Sequence, residues 1–485
     1  MAKPENLMVG WATTDITPQG QVALLGQFDD RFSEHVRDPL TATALAMESL
    51  DENGLSISGF VMVSCDLCEI PASLQDNVKK AVIKRLPELN DQSVILSATH
   101  IHTGPYITRS LFENFNDYAF GWPDNNENVT TPEEYSAFIV DKICDAVISA
   151  WDNRCKGAVS WQLGYAVIGH NRRSVYDDAT ALMYGSTDTV KYRGPEGPSD
   201  NGIELIYFWN ERNELTGIAV NVSCPAQIVE HKSYISADYW GELRKKVCEE
   251  FGNEICVLAL CGAAGDQSPR DLVRRGRGDK DMYSEEGMLE IAERLFTVIK
   301  CKMKDAMRNI MVDPVLKHSS KELLLPHRII TKAEYEKEKI RFDDLIKKYE
   351  LNVKPIDKTR IDSQELVEIY ETQGVLERYE YYKKNPAYKA ELHFIRIGDI
   401  AIATNPFELY TVYGFMIKAR SVAVQTLLAQ LSCDVGGYLA TENAINNGHY
   451  STTISSGFVG PDGGQMLVDY SVCCINELWE EKSYE

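Results

Sequence analysis

Two histidines stand one residue apart in the run Ser97-Ala98-Thr99-His100-Ile101-His102-Thr103-Gly104-Pro105, directly after the apolar stretch Val94-Ile95-Leu96. If the strand continues through them, side chains two residues apart share a face. The imidazoles of His100 and His102 then project together from a strand end. Two imidazoles placed so can serve as a metal ligand and a general acid/base, or they can be satisfied by backbone partners near a turn. A second group is Cys261-Gly262-Ala263-Ala264-Gly265-Asp266-Gln267-Ser268-Pro269. Free amides in such a turn can hold an oxyanion, and Ser268 could be a nucleophile or a hydrogen-bonding residue. Taken alone, the run reads more simply as a tight strand-to-loop turn. In Thr404-Asn405-Pro406-Phe407-Glu408 the carboxylate could ligate a metal or sit favourably at a helix start. Tyr450, in Asn447-Gly448-His449-Tyr450, reads by itself as packing. Cys65 and Cys68 form a CxxC without a second such pair, which favours two structural cysteines. Asp66 between them is a candidate partner for a ligand histidine.

The elements that must position these residues alternate. LSISGFVMVSCDLCEI (55–70) reads as a strand, SLQDNVKKAVIKRLPEL as a helix, and QSVILSATHIHTGPYI as a strand running into a turn. Strand, helix, strand is the pattern of a parallel crossover, whose carboxyl ends face the ligand crevice of open α/β sheets. NGIELIYFWNERNELTGIAVNVSC predicts two strands joined at Asn210–Asn213. SADYWGELRKKVCEEF and MLEIAERLFTVIKCKMKDAM predict helices on either side of the strand EICVLALC. Residues 330–390 are highly charged with helical period and a turn containing Pro355. They predict a helical hairpin insertion that projects from the core, most simply a solvated excursion that could also shape a substrate entrance. AELHFIRIGDIAIATNPFELY then returns to strand, strand, helix. The fold class expected is α/β, over residues 1–485 as a single catalytic domain.

The chain has 485 residues, a formal net charge of -22 and a pI near 4.9. That balance argues against a nucleic-acid partner, because phosphate binding needs clustered Lys and Arg. It also gives no attraction to an anionic membrane surface. No apolar run reads as a signal peptide or a membrane span. With twelve cysteines, several in apolar runs, the expectation is a cytoplasmic protein with free thiols and no stable membrane association. The oligomeric state is not legible.

Taken together and in this order, the motifs resemble the neutral/alkaline ceramidase family. The resemblance runs from VGWATTDITP through DPL at Asp38–Leu40, ATHIHTGP, HNRRS, ISADYWG, GAAGDQSP, IGDIAIATNPFE and GGYLATENA, nearly the whole chain. The secreted ceramidases carry a further C-terminal β-domain, before which this chain is expected to stop. The resemblance implies a layered sandwich of mixed β-sheets with outer helices, and a zinc hydrolase that cleaves an amide. It implies His100, Glu408 and, by a looser match, Tyr450 as zinc ligands. His102 would act beside the metal, Arg172 would contact the reacting group, and Ser268 would match the serine of the Gly-Asp turn. One position departs. Where the family has its second ligand histidine, twelve residues before the serine matched by Ser236, this chain has Cys224. Thiolate is a competent zinc ligand, so Cys224 is the favoured replacement. His231 is another, and loss of the metal is a third.

These readings converge on metal-assisted hydrolysis; the resemblance implies an amide bond, and a chain with no apolar membrane-facing segment is expected to take a small soluble substrate. His102 would relay the proton, and Arg172 and Tyr450, with amides near Gly265, would stabilise the oxyanion. An ester or glycoside-type C–O bond is the alternative substrate. A non-catalytic binding protein is the third reading.

Overall fold

The computed structural model describes residues 6–109, 128–351 and 361–480. Its larger sheet has nine strands. Eight run in the order Cys256–Cys261, Leu215–Val222, Gly202–Asn210, Cys155–Tyr165, Asn6–Asp15, Thr41–Leu50, Ser56–Cys65 and Val94–Ala98, with Met311–Val312 paired to Cys155–Tyr165. A four-stranded sheet follows the order Leu316–Leu325, Tyr388–Ile397, Ile400–Thr404 and Gln425–Ala429.

The two sheets pack face to face. Leu45, Phe60, Met62, Phe208 and Leu260 from the larger meet Leu316, Ile395, Ile402 and Leu427 from the smaller in one dry cluster. The other face of the large sheet is covered by helices Ala72–Arg85, Pro132–Asp152, Tyr239–Phe251 and Glu285–Arg308. Helices Thr411–Arg420 and Pro461–Glu477 cover the small sheet. The result is the expected sandwich of mixed sheets between outer helices. Coverage on both faces explains why the strand Thr41–Leu50 buries eight consecutive residues instead of alternating.

Within these two sheets three pairs of strands are parallel, and each is joined through a helix: Ser56–Cys65 with Val94–Ala98 through Ala72–Arg85, Leu215–Val222 with Cys256–Cys261 through Tyr239–Phe251, and Ile400–Thr404 with Gln425–Ala429 through Thr411–Arg420. A parallel pair requires such a crossover. Their carboxyl ends are stitched together by backbone bonds: Ala98 N–H to Leu431 O at 3.1 Å, Gln430 N–H to Cys261 O at 2.9 Å and Gly262 N–H to Val222 O at 2.8 Å. All the sequence motifs that could carry chemistry, apart from Arg172 and Tyr450, leave from these ends.

Local signals set the element boundaries. Thr131 and Glu134 form a reciprocal capping box at Pro132–Asp152, with proline in the first turn. Asp38 of the DPL motif accepts from Ser236 Oγ and the Ala237 amide, both at 2.7 Å, and so pins the ISAD turn ahead of helix Tyr239–Phe251. The charged region forms helices Lys332–Lys348 and Ser363–Lys384. The turn with Pro355 lies outside the described residues. The first of these helices is mostly solvated, but the second is more than a solvated excursion. It buries Leu366, Ile369, Val375 and even Glu377 and Arg378. Among the described residues no helix is long and apolar enough to cross a membrane.

Candidate metal and catalytic site

His100 and His102 do come together, but not as strand neighbours. The strand ends at Ala98, and His100 has φ of +61°, in the left-handed region. That turn, not a strand pleat, sets the two rings 5.0 Å apart at 83°. The turn is held on both sides: the His100 amide donates to Leu67 O at 3.0 Å and the Ala226 amide to His100 O at 3.1 Å.

His100 Nδ1 lies 2.7 Å from the carbonyl oxygen of Cys68. A carbonyl can only accept, so Nδ1 carries the proton and Nε2 faces the Glu408 carboxylate at 3.3 Å. Burial works against charge on His100, but the Cys68 thiol and Glu408 outweigh it and hold the imidazole well above its ordinary value. Burial likewise raises Glu408, and His100 with Arg172 more than reverses that. A histidine with one nitrogen fixed by a backbone carbonyl and the other facing a carboxylate forms a donor pair able to hold a metal such as zinc.

His102 has a different partner. Its Nδ1 is 3.0 Å from Glu230 Oε2, close enough for an ion pair. The N–H is not aimed well enough for a hydrogen bond, and both ring nitrogens lack hydrogen-bond partners. Burial lowers the His102 pKa against the opposing pull of Glu230, so the ring is a neutral base near pH 7. Glu230 is 5% exposed. It also accepts from Gln227 Nε2, which bonds the Tyr184 hydroxyl at 2.8 Å. Tyr184 in turn donates to Ser268 Oγ at 3.3 Å.

Arg172 reaches Gly265 O and the Tyr438 hydroxyl, each at 3.0 Å, and its Nε is buried without a partner. Tyr438 touches Glu408 electrostatically, and its ring lies 5.6 Å from that of Tyr450. Burial, then Glu408, pushes the Tyr450 phenol up to about 12, so it keeps its proton. Glu408, Tyr438 and Tyr450 line a cavity of about 350 Å³, together with Glu69, Phe28 and Tyr370.

Other expectations are placed differently. Cys224 is fully buried, with Sγ 3.5 Å from Pro225 O. Burial and Cys261 hold its thiol well above the ordinary range. Cys68 is the sulfur that groups with the histidines: ligand atoms of Cys68, His100 and His102 lie within 4.8 Å of one another. His231 is exposed, its ring 4.4 Å from Tyr283. Ser268 is fully buried and also accepts from the Arg270 amide at 3.3 Å. The Gly-rich turn offers no free amide at its centre. Ala264 N–H donates to Gln430 Oε1 and Gly265 N–H to Leu409 O. It is a packing turn: a Cβ on Gly265 would lie 2.2 Å from Glu408 O. Asp66 does not serve His100 or His102; it takes the Arg244 fork at 2.7 and 2.9 Å and holds Thr99 and Thr41.

Sequence reasoning missed Cys68, Glu69, Glu230 and Tyr438. The acid after the CxxC and the Glu-His pair at Glu230 were visible as residue types, but only the folded turns bring them to the histidines.

No family model matches the chain, and no curated protein matches it. Among solved structures it is similar to that of neutral ceramidase from Pseudomonas aeruginosa, with a TM-score of 0.68 and 19% identity over 99% of this chain and 76% of that one. A structure described as a ceramidase complexed with C2 gives a TM-score of 0.67 and 18% identity, over 99% of this chain and 77% of that one. The chain has the fold of these ceramidases.

Proposed function

We propose that this protein is a zinc-dependent hydrolase of N-acyl amides in small soluble molecules. The observation that carries the reading is His100, its tautomer fixed by the Cys68 carbonyl, facing across 3.3 Å the carboxylate of Glu408, which lines a cavity. Fold likeness to ceramidases supports it.

His100 and Glu408 would hold the zinc, with Tyr450 beside them. A thiolate from Cys224, the place matched in the family, or from Cys68, the sulfur grouped with the histidines, would complete the set. When bound, zinc polarises a carbonyl and makes a hydroxide nucleophile available near neutral pH. His102, neutral and paired with Glu230 at 3.0 Å, takes a proton from the attacking water. Glu230 orients the ring and stabilises the imidazolium that results, as a carboxylate does in an acid–base–orienter triad. Arg172 and the protonated Tyr450 face the place where negative charge develops on the carbonyl oxygen. His102 then returns its proton to the leaving nitrogen. Ser268 is tied to Tyr184 and serves as a buried anchor of the chain that ends on Glu230.

The test is hydrolysis of a panel of short N-acyl amides and matched esters, before and after chelation. Amide cleavage that chelation abolishes and zinc restores is expected. Cleavage of esters alone would replace the amide assignment, and chelator-resistant turnover would contradict metal dependence.

A further inference from the structure

The cavity beside Glu408 has a composition that bears on what fills it. One wall is a run of rings: Tyr370 to Phe28 at 5.6 Å, Phe28 to Tyr450 at 5.7 Å and Tyr450 to Tyr438 at 5.6 Å. Interspersed are four carboxylates, Glu69, Glu371, Glu377 and Glu408. The two arginines that also line it are engaged. Arg109 forks onto Glu133 at 2.8 and 3.2 Å, and Arg378 lies 4.8 Å over the ring of Phe458. Glu377 accepts from Gln373 and Glu408 faces His100. Among the described residues Glu69 has neither an ion pair nor a hydrogen bond.

Aromatic faces attract a cation through the ring quadrupole, and a carboxylate without a partner gains a charge-assisted bond from an ammonium. An alkyl chain laid over the same wall would bury Glu69 with nothing to compensate it. An anionic substrate would face Glu69, Glu371 and Glu377, with both lining arginines already engaged. The volume, about 350 Å³, is at the small end for ligand pockets, roughly 300–1,000 Å³.

We infer that the substrate is a small amide bearing a second, free ammonium group, and that Glu69 is the residue that pairs with it. The amide part rests on the hydrolase reading above; the cation preference of the cavity does not. The helix Ser363–Lys384, through Tyr370 and Glu371, is then the outer wall of the specificity pocket rather than a solvated excursion.

Binding to the zinc-loaded protein, measured by calorimetry, tests this with three chain-matched probes: N-acetylputrescine (cationic), N-pentylacetamide (neutral) and 5-acetamidopentanoate (anionic). The cationic probe is expected to bind at least about tenfold tighter than the neutral one, a difference of about 1.4 kcal/mol, with the anionic probe weakest. In Glu69→Gln the cationic preference is expected to fall below about threefold while the affinity of the neutral probe stays unchanged. Equal affinities, or preference for the neutral probe, would overturn the cation pocket. A preference that survives Glu69→Gln would overturn the role of Glu69, and Glu371→Gln measured alongside would show whether the hairpin carboxylate carries it. Cation-selective binding without hydrolysis of any probe would leave the pocket standing and count against the hydrolase reading alone.

Discussion

The pairing of His102 with Glu230 is the most exacting feature of the site. The ring is packed against Gly26, whose φ is +107° and where a Cβ would lie 2.6 Å from His102 Cγ. Only glycine adopts that backbone at no cost and leaves the ring its place. Glu230→Gln keeps this packing and removes the charge. Turnover of an amide is expected to fall about 10- to 100-fold, with zinc content unchanged. Because Glu230 raises the His102 pKa against burial, the acid limb of kcat/KM should move to lower pH in this variant. A fall in turnover with an unmoved limb would mean that Glu230 only supports the fold. Residue types were legible: His100, His102, Glu408 and Arg172, singled out in the sequence, lie near one another in the structure, although the histidines leave a turn and not a strand. Their partners were not, because Cys68 and Glu230 reach the histidines only through turns such as the left-handed one at His100, which alternation of side chains cannot foresee.

Between elements, Glu391 ties the smaller sheet to a helix that covers the larger one. It lies on the strand Tyr388–Ile397 and takes Lys79, from helix Ala72–Arg85, at 2.6 and 2.8 Å, and His393 Nε2 at 2.8 Å. His393 continues to His318 Nε2 at 3.0 Å. Burial raises the Glu391 carboxyl, but His393 and Lys79 prevail and bring it to about 2. A carboxyl depressed in the folded state contributes stability above its unfolded value, about 4.3, and loses it as the pH falls through its folded value. Glu391→Gln should therefore cost on the order of 2–4 kcal/mol at pH 7, chiefly by leaving Lys79 buried without its partner. Urea unfolding at pH 7 and pH 3 should show the gap between wild type and variant narrowing at the lower pH. A gap that is equal at both would show that the ion pair is not its source. The strands and helices of this region were predicted from their periods. The tie was not, because a Glu alternating with apolar residues reads as an ordinary outward-facing side chain.

For the molecule as a whole, the two sheets bring the carboxyl ends of three parallel pairs to one place, and the chemistry collects there. Crossover units could be read from the alternation of apolar runs with amphipathic ones. Face-to-face packing of the sheets could not, and it came from resemblance. The charged region 330–390 shows the same limit. Its helical period was plain, yet the inward face of Ser363–Lys384 carries polar residues such as Thr372, Glu377 and Arg378, which no apolar stripe announces. The account depends on a metal between His100 and Glu408. Elemental analysis of the purified protein, comparing wild type with His100→Ala, addresses that directly. About one zinc per chain in the wild type, lost in the variant while the fold persists by circular dichroism, is the predicted result. No zinc in the wild type after it is supplied, or zinc retained undiminished by His100→Ala, would contradict it.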